Sequence, residues 1–105
     1  MKIVKVTYNL SSGGAERLLV DLSNEFVTEH EVYVITLLDD SDPKNCFYKD
    51  ELNSRVNYIC LNFNKKSFFS STFRINKVLR KISPDIVHFH GVNIIKFFLF
   101  PIFFY

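Results

Sequence analysis

The chain has 105 residues, is 48% hydrophobic and 16% aromatic, and carries 13 basic against 11 acidic side chains for a net charge of +2. That length suits one domain, and the aromatic content excludes a solvated, disordered chain. The near balance of charge, with no basic block longer than Lys65-Lys66, excludes nucleic-acid binding driven by charge alone. Cys46 and Cys60 make neither a disulfide framework nor a four-ligand zinc site, so a reducing, cytosolic setting is expected.

Lys2 to Leu10 opens with KIVKVTY, a β-branched run that predicts a first strand. Lys5 falls where a signal peptide needs its apolar run, so no targeting segment is expected. After Ser11-Ser12-Gly13-Gly14 the period changes. Ala15, Leu18, Leu19, Leu22 and Phe26 recur at helical spacing, predicting an amphipathic helix that ends near Thr28. Ser11 or Ser12 is expected to cap it, and Glu16 sits in the first turn, where the helix dipole favours an anion.

Glu31 to Leu38 predicts a second strand, apolar enough for a parallel sheet covered on both faces. Asp39 to Leu52 is polar and irregular, with one helical turn near Tyr48 to Leu52. Arg55 to Leu61 predicts a third strand, and Asn62 to Ser71 reads as loop. Ile75, Val78, Leu79 and Ile82, with Phe73 nearby, predict a second long helix over Ser71 to Lys81, ended by Ser83-Pro84. Asp85 to His90 predicts a fourth strand, closed by Gly91. The order is that of an α/β fold, a Rossmann-like parallel sheet of about four strands with flanking helices, and only its first half.

Two features fall at the carboxyl ends of strands, where open α/β sheets gather ligands. Gly13-Gly14 opens the first helix, whose free amides suit a phosphate or other anion; an ordinary glycine turn is the equal alternative. Neither G-x-G-x-x-G nor a P-loop is present. At the end of the fourth strand, His88 and His90 share one face while Val87 and Phe89 take the other. The pair reads as a polar contact to substrate hydroxyls or phosphate, most of all through His90. A structural pair is the second reading, and a metal site, lacking a third ligand, the last. Asp40-Ser41-Asp42 spells D-x-D but reads as a solvated turn before Pro43. No metal is expected.

Phe97 to Tyr105 holds five of the twelve phenylalanines and no charge. It is shorter than the roughly 20 residues of a spanning helix. It reads as a buried element whose packing partner lies outside this sequence, or else as a membrane-surface or partner contact.

Three stretches in order carry a resemblance. These are Gly13-Gly14-Ala15-Glu16-Arg17 with the helix after it, His30-Glu31-Val32-Tyr33-Val34, and Ser83-Pro84-Asp85-Ile86-Val87-His88-Phe89-His90-Gly91. Together the chain resembles, from Met1 to about Asn93, the N-terminal domain of family 4 glycosyltransferases, which are retaining, GT-B, nucleotide-sugar-dependent enzymes. The resemblance implies that residues 1–105 form part of that domain. It implies that Gly13, Gly14 and Ala15 lie near the transferred sugar-phosphate, that Glu16 caps and orients the helix, and that His88, His90 and Gly91 line or support the acceptor side.

The resemblance also implies a nucleotide sugar as donor, no metal or other cofactor, and a glycan or lipid-linked acceptor. Nucleic acid is not an implied partner. It implies a cytoplasmic place with peripheral contact at the inner face of the membrane. The family's T-x-H-D segment and its C-terminal nucleotide-sugar domain are expected after Tyr105, so the chain by itself is expected to be inactive. The alternatives are a non-catalytic binding module or decayed gene fragment that docks through the aromatic tail, and a small phosphate-ligand binder such as a flavin protein. The lack of tryptophan and of a Ser/Thr-rich phosphate loop counts against the last.

Overall fold

A computed structural model of the chain describes residues 1–10, 13–38, 47–61 and 68–90. Four parallel strands form one sheet: β1 (Lys2–Thr7), β2 (Glu31–Thr36), β3 (Asn57–Cys60) and β4 (Ile86–His90), in the spatial order β3-β2-β1-β4. Helix α1 (Gly14–Phe26) joins β1 to β2, and helix α2 (Phe68–Ile82) precedes β4. A 3-10 turn, Lys49–Glu51, stands before β3 where the sequence predicted one helical turn.

The helices cover opposite faces of the sheet, because residues alternate between faces along each strand. Ile75, Leu79 and Ile82 of α2 pack with Val4, Val6, Ile35, Leu37 and Leu61. Leu19 and Val20 of α1, with Val27 just beyond it, pack with Val32, Val34 and Val56. This double cover explains why β1 and β2 are buried along most of their length, and it confirms the Rossmann-like α/β arrangement read from the sequence.

Three details depart from the sequence reading. The buried face of α1 is Leu19, Val20 and Ser23, whereas Leu18 is 55% exposed and Ala15 is exposed. The 3.6-residue period locates a stripe only to within one side chain of its centre, and Val20 belongs to the stripe in place of Leu18. Ser23 tolerates burial because its hydroxyl donates to the Leu19 carbonyl at 2.7 Å. Helix α2 starts at Phe68, inside the span read as loop, and Phe73 is 69% exposed. Its end is as predicted: Ser83 takes a left-handed φ of 54°, since the following Pro84 disfavours helical geometry there.

Cys60 is a free thiol whose Sγ donates to the Leu38 carbonyl at 3.1 Å. Ser11, Ser12, Cys46, Asp40-Ser41-Asp42, Gly91 and the tail from Phe97 to Tyr105 lie outside the described residues. Among the described residues no helix is long and apolar enough to cross a membrane.

Candidate functional site

The strand order reverses between β1 and β4. Chain order runs outward from β1 through β2 to β3 on one side, then resumes at β4 on the other. In open α/β sheets the crevice at the carboxyl ends of such a strand pair is the usual ligand site. The loop that leads to Gly13-Gly14 leaves the carboxyl end of β1. His88 and His90 stand in the carboxyl half of β4, with Lys5 opposite His88 and Thr7 opposite His90. Both sequence-predicted groups therefore rise from the two strands that flank the reversal.

Gly13 is the N-cap of α1, with φ −72° and ψ 163°, and it makes no side-chain cap bond. That extended backbone is open to any residue, so tight turning does not demand glycine here. Its near neighbour is Glu16, whose carboxylate folds back so closely that a Cβ on Gly13 would meet its Oε2 and move that flexible side-chain end aside. Glu16 thus sets a negative charge against the first turn, whose amides have no partners within the helix. A Cβ on Gly14 would meet nothing within 4 Å. The start of α1 presents bare backbone on that side, a surface that a ligand or another polypeptide segment can approach closely.

Arg17, at the end of the same motif, is engaged by neighbouring side chains. Its guanidinium bonds both carboxylate oxygens of Glu51 at 2.9 Å and Asp21 at 3.3 Å, and it lies 5.6 Å from the Tyr48 ring centre. These partners raise its pKa, the Glu51 bond most. Asn24 adds to the same junction by donating to the Glu51 carbonyl and accepting from the Asn53 amide. Arg17 therefore fastens the segment before β3 to α1.

On β4 the two imidazoles share a face, as the alternation predicted, with ring centres 4.2 Å apart. His88 is exposed, while His90 is half-buried with its Nε2 shut off from solvent and unpartnered among the described residues. Burial, then the charges of His88 and Lys5, push the His90 pKa down to about 4. His88 is lowered by burial and then by Lys5. Both rings are neutral at pH 7.

Sequence reasoning missed Lys5. Its side chain is 1% exposed, its Nζ lies 3.2 Å from His88 Nδ1, and it stands 5.3 Å from the centre of the Phe26 ring. Desolvation lowers its pKa, and no carboxylate pairs with it among the described residues. The available signal was a lysine interrupting the apolar run Ile3-Val4-Lys5-Val6. Among the described residues no group of three metal-ligating side chains converges, and the third group beside the two histidines is this cation. His30 stands at the amino end of β2, beside a separate hollow lined by Val27, Glu29 and Arg55, far along the strands from His88 and His90.

The profile of Glycosyltransferase Family 4 matches residues 12–99 of the chain. A GalNAc-alpha-(1->4)-GalNAc-alpha-(1->3)-diNAcBac-PP-undecaprenol alpha-1,4-N-acetyl-D-galactosaminyltransferase of Campylobacter jejuni is 34% identical over 92 residues. That match covers 82% of this chain and 24% of the relative, so the chain spans about a quarter of that protein's length.

Proposed function

We propose that this chain, which belongs to glycosyltransferase family 4, forms the acceptor side of an enzyme that moves a sugar from a nucleotide sugar to a lipid-linked glycan. The observation that carries the reading is the pairing of β1 with β4. It brings the bare backbone at Gly14 and the imidazole pair of His88 and His90 to the two sides of one strand-order reversal. Gly13, Gly14 and Ala15 border the donor's diphosphate in this reading, and Glu16 holds the start of α1. His88 and His90 flank the acceptor; Gly91, assigned to the same side by the family resemblance, lies outside the described residues.

The relative named above acts on an undecaprenol-linked acceptor. A polyprenyl-diphosphate glycan is accordingly the acceptor class proposed for this chain, with peripheral contact at the inner face of the membrane. Transfer is proposed to proceed with retention and without a metal. Charge leaving with the nucleotide is then met by oriented backbone amides and by donors from a second lobe that also excludes water. In this reading the described sheet forms one wall of the cleft, and the nucleotide-sugar lobe forms the other.

The test is an assay with nucleotide-activated N-acetylgalactosamine and an undecaprenyl-diphosphate glycan, with and without the C-terminal lobe of the Campylobacter relative. No turnover by the chain alone and turnover after the lobe is added is the expected result. Absence of both transfer and acceptor binding in the presence of the lobe overturns the reading.

A further inference from the structure

We propose that Lys5 is a positioning residue that fixes the tautomer of His88, so that the exposed imidazole offers its Nε2–H to an oxygen of the bound acceptor. The argument starts from the register. Lys5 on β1 lies directly opposite His88 on β4, and both side chains project from the α1 side of the sheet. The Lys5 ammonium has only hydrogens to give, so at 3.2 Å it must donate to His88 Nδ1, which therefore carries no proton. A neutral imidazole with a bare Nδ1 carries its hydrogen on Nε2.

The surroundings hold this arrangement in place. Lys5 is 1% exposed, with the Phe26 ring 5.3 Å from its Nζ, and the His90 ring lies 4.2 Å from that of His88. No carboxylate pairs with Lys5 among the described residues, so the imidazole is its hydrogen-bond acceptor there. Burial of an ammonium is costly, and an apolar residue of the same length would fill the space more cheaply. The charge is instead placed behind the one exposed ring of the pair, where it also opposes protonation of both histidines. The meaning of the exposed N–H for an acceptor oxygen rests on the function proposed above; the tautomer itself does not.

The test is nitrogen-15 NMR of the imidazole side chains of the intact chain at neutral pH, without sugar substrates, in the wild type and in Lys5→Met. A hydrogen bond from a charged donor is worth about 1.5–3 kcal/mol, which is roughly a tenfold bias or more. The wild type is expected to show His88 with Nδ1 bare and Nε2 protonated. In Lys5→Met the ratio of the two tautomers is expected to fall about tenfold toward a mixture, and the His88 titration midpoint to rise. A wild-type His88 protonated on Nδ1, or an unchanged tautomer ratio in Lys5→Met, overturns the proposal. Lys5→Leu serves as the same test if the methionine variant does not fold. Failure here leaves the transferase assay untouched, and failure of that assay leaves the tautomer as measured.

Discussion

Lys2 and Asp85, the residues that begin β1 and immediately precede β4, clasp each other across 83 positions of sequence. The Lys2 amide donates to Asp85 Oδ2 at 2.7 Å, and the Asp85 amide donates to the Lys2 carbonyl at 2.9 Å. Lys2 Nζ adds a bond to the Ile82 carbonyl at 3.0 Å, at the end of α2. The clasp sets the starting register of the two strands that flank the strand-order reversal. The Pro84-Asp85 step of the family motif therefore acts on the site through strand placement.

Asp85→Ala is expected to cost about 1 kcal/mol, the usual net worth of one hydrogen bond, because the Lys2 amide loses its side-chain acceptor. Urea titration measures the shift. Asp85→Asn keeps an acceptor oxygen and is expected to recover most of the loss.

The two glycines at the start of α1 are expected to respond differently. Gly13→Ala pushes the Glu16 carboxylate off the helix terminus, costing about 0.3–1 kcal/mol of dipole interaction. Gly14→Ala meets no obstruction and gains helix propensity of up to about 1 kcal/mol. If Gly14 lies open for donor approach, the same substitution lowers transfer in the lobe-complemented assay by tenfold or more, on the order of a 1.4 kcal/mol rise in barrier. Thermal melts paired with that assay read both effects, and unchanged transfer would remove Gly14 from the donor side.

Stability should fall as the solution is acidified from about pH 6.5 toward 4. The His90 pKa is depressed in the folded state, so the unfolded chain binds more protons in that window and is favoured there. The full contribution is present above the unfolded pKa, and for a half-buried ring it is on the order of 2 kcal/mol. Lys5 and His88 are the charged and titratable neighbours on the same face. His90→Gln is expected to flatten the slope of unfolding free energy against pH in this window; an unaltered slope would show that other groups set it.

The rotated face of α1 separates two adjacent leucines. Leu19→Ala empties a fully buried site and is expected to cost about 2–5 kcal/mol. Leu18→Ala, at a residue 55% exposed, should stay within about 0.5 kcal/mol of the wild type in the same urea titration.

The sequence by itself determined the element order, the parallel sheet and the shared face of His88 and His90. Each depends on a local period or on punctuation: the apolar run of EVYVITLL, the helical recurrence from Ala15 to Phe26, the alternation in IVHFH, and the proline after Ser83. It also placed Gly13-Gly14 between a strand and a helix, and α1 begins at Gly14.

Tertiary structure alone decided what depends on neighbours distant in the chain. The pairing of β1 with β4 sets Lys5 behind His88, and no spacing within either strand reports that register. Gly13 faces the returning Glu16 carboxylate and takes an extended backbone rather than a sharp turn; backbone angle and side-chain path become known only once the helix is built. Arg17 looked like part of the glycine motif, yet Glu51, folded against it from 34 positions downstream, makes it a fastener of the chain before β3. Local periodicity is written in the order of residues; contacts between segments are fixed only when the sheet assembles and decides which side chains share a face.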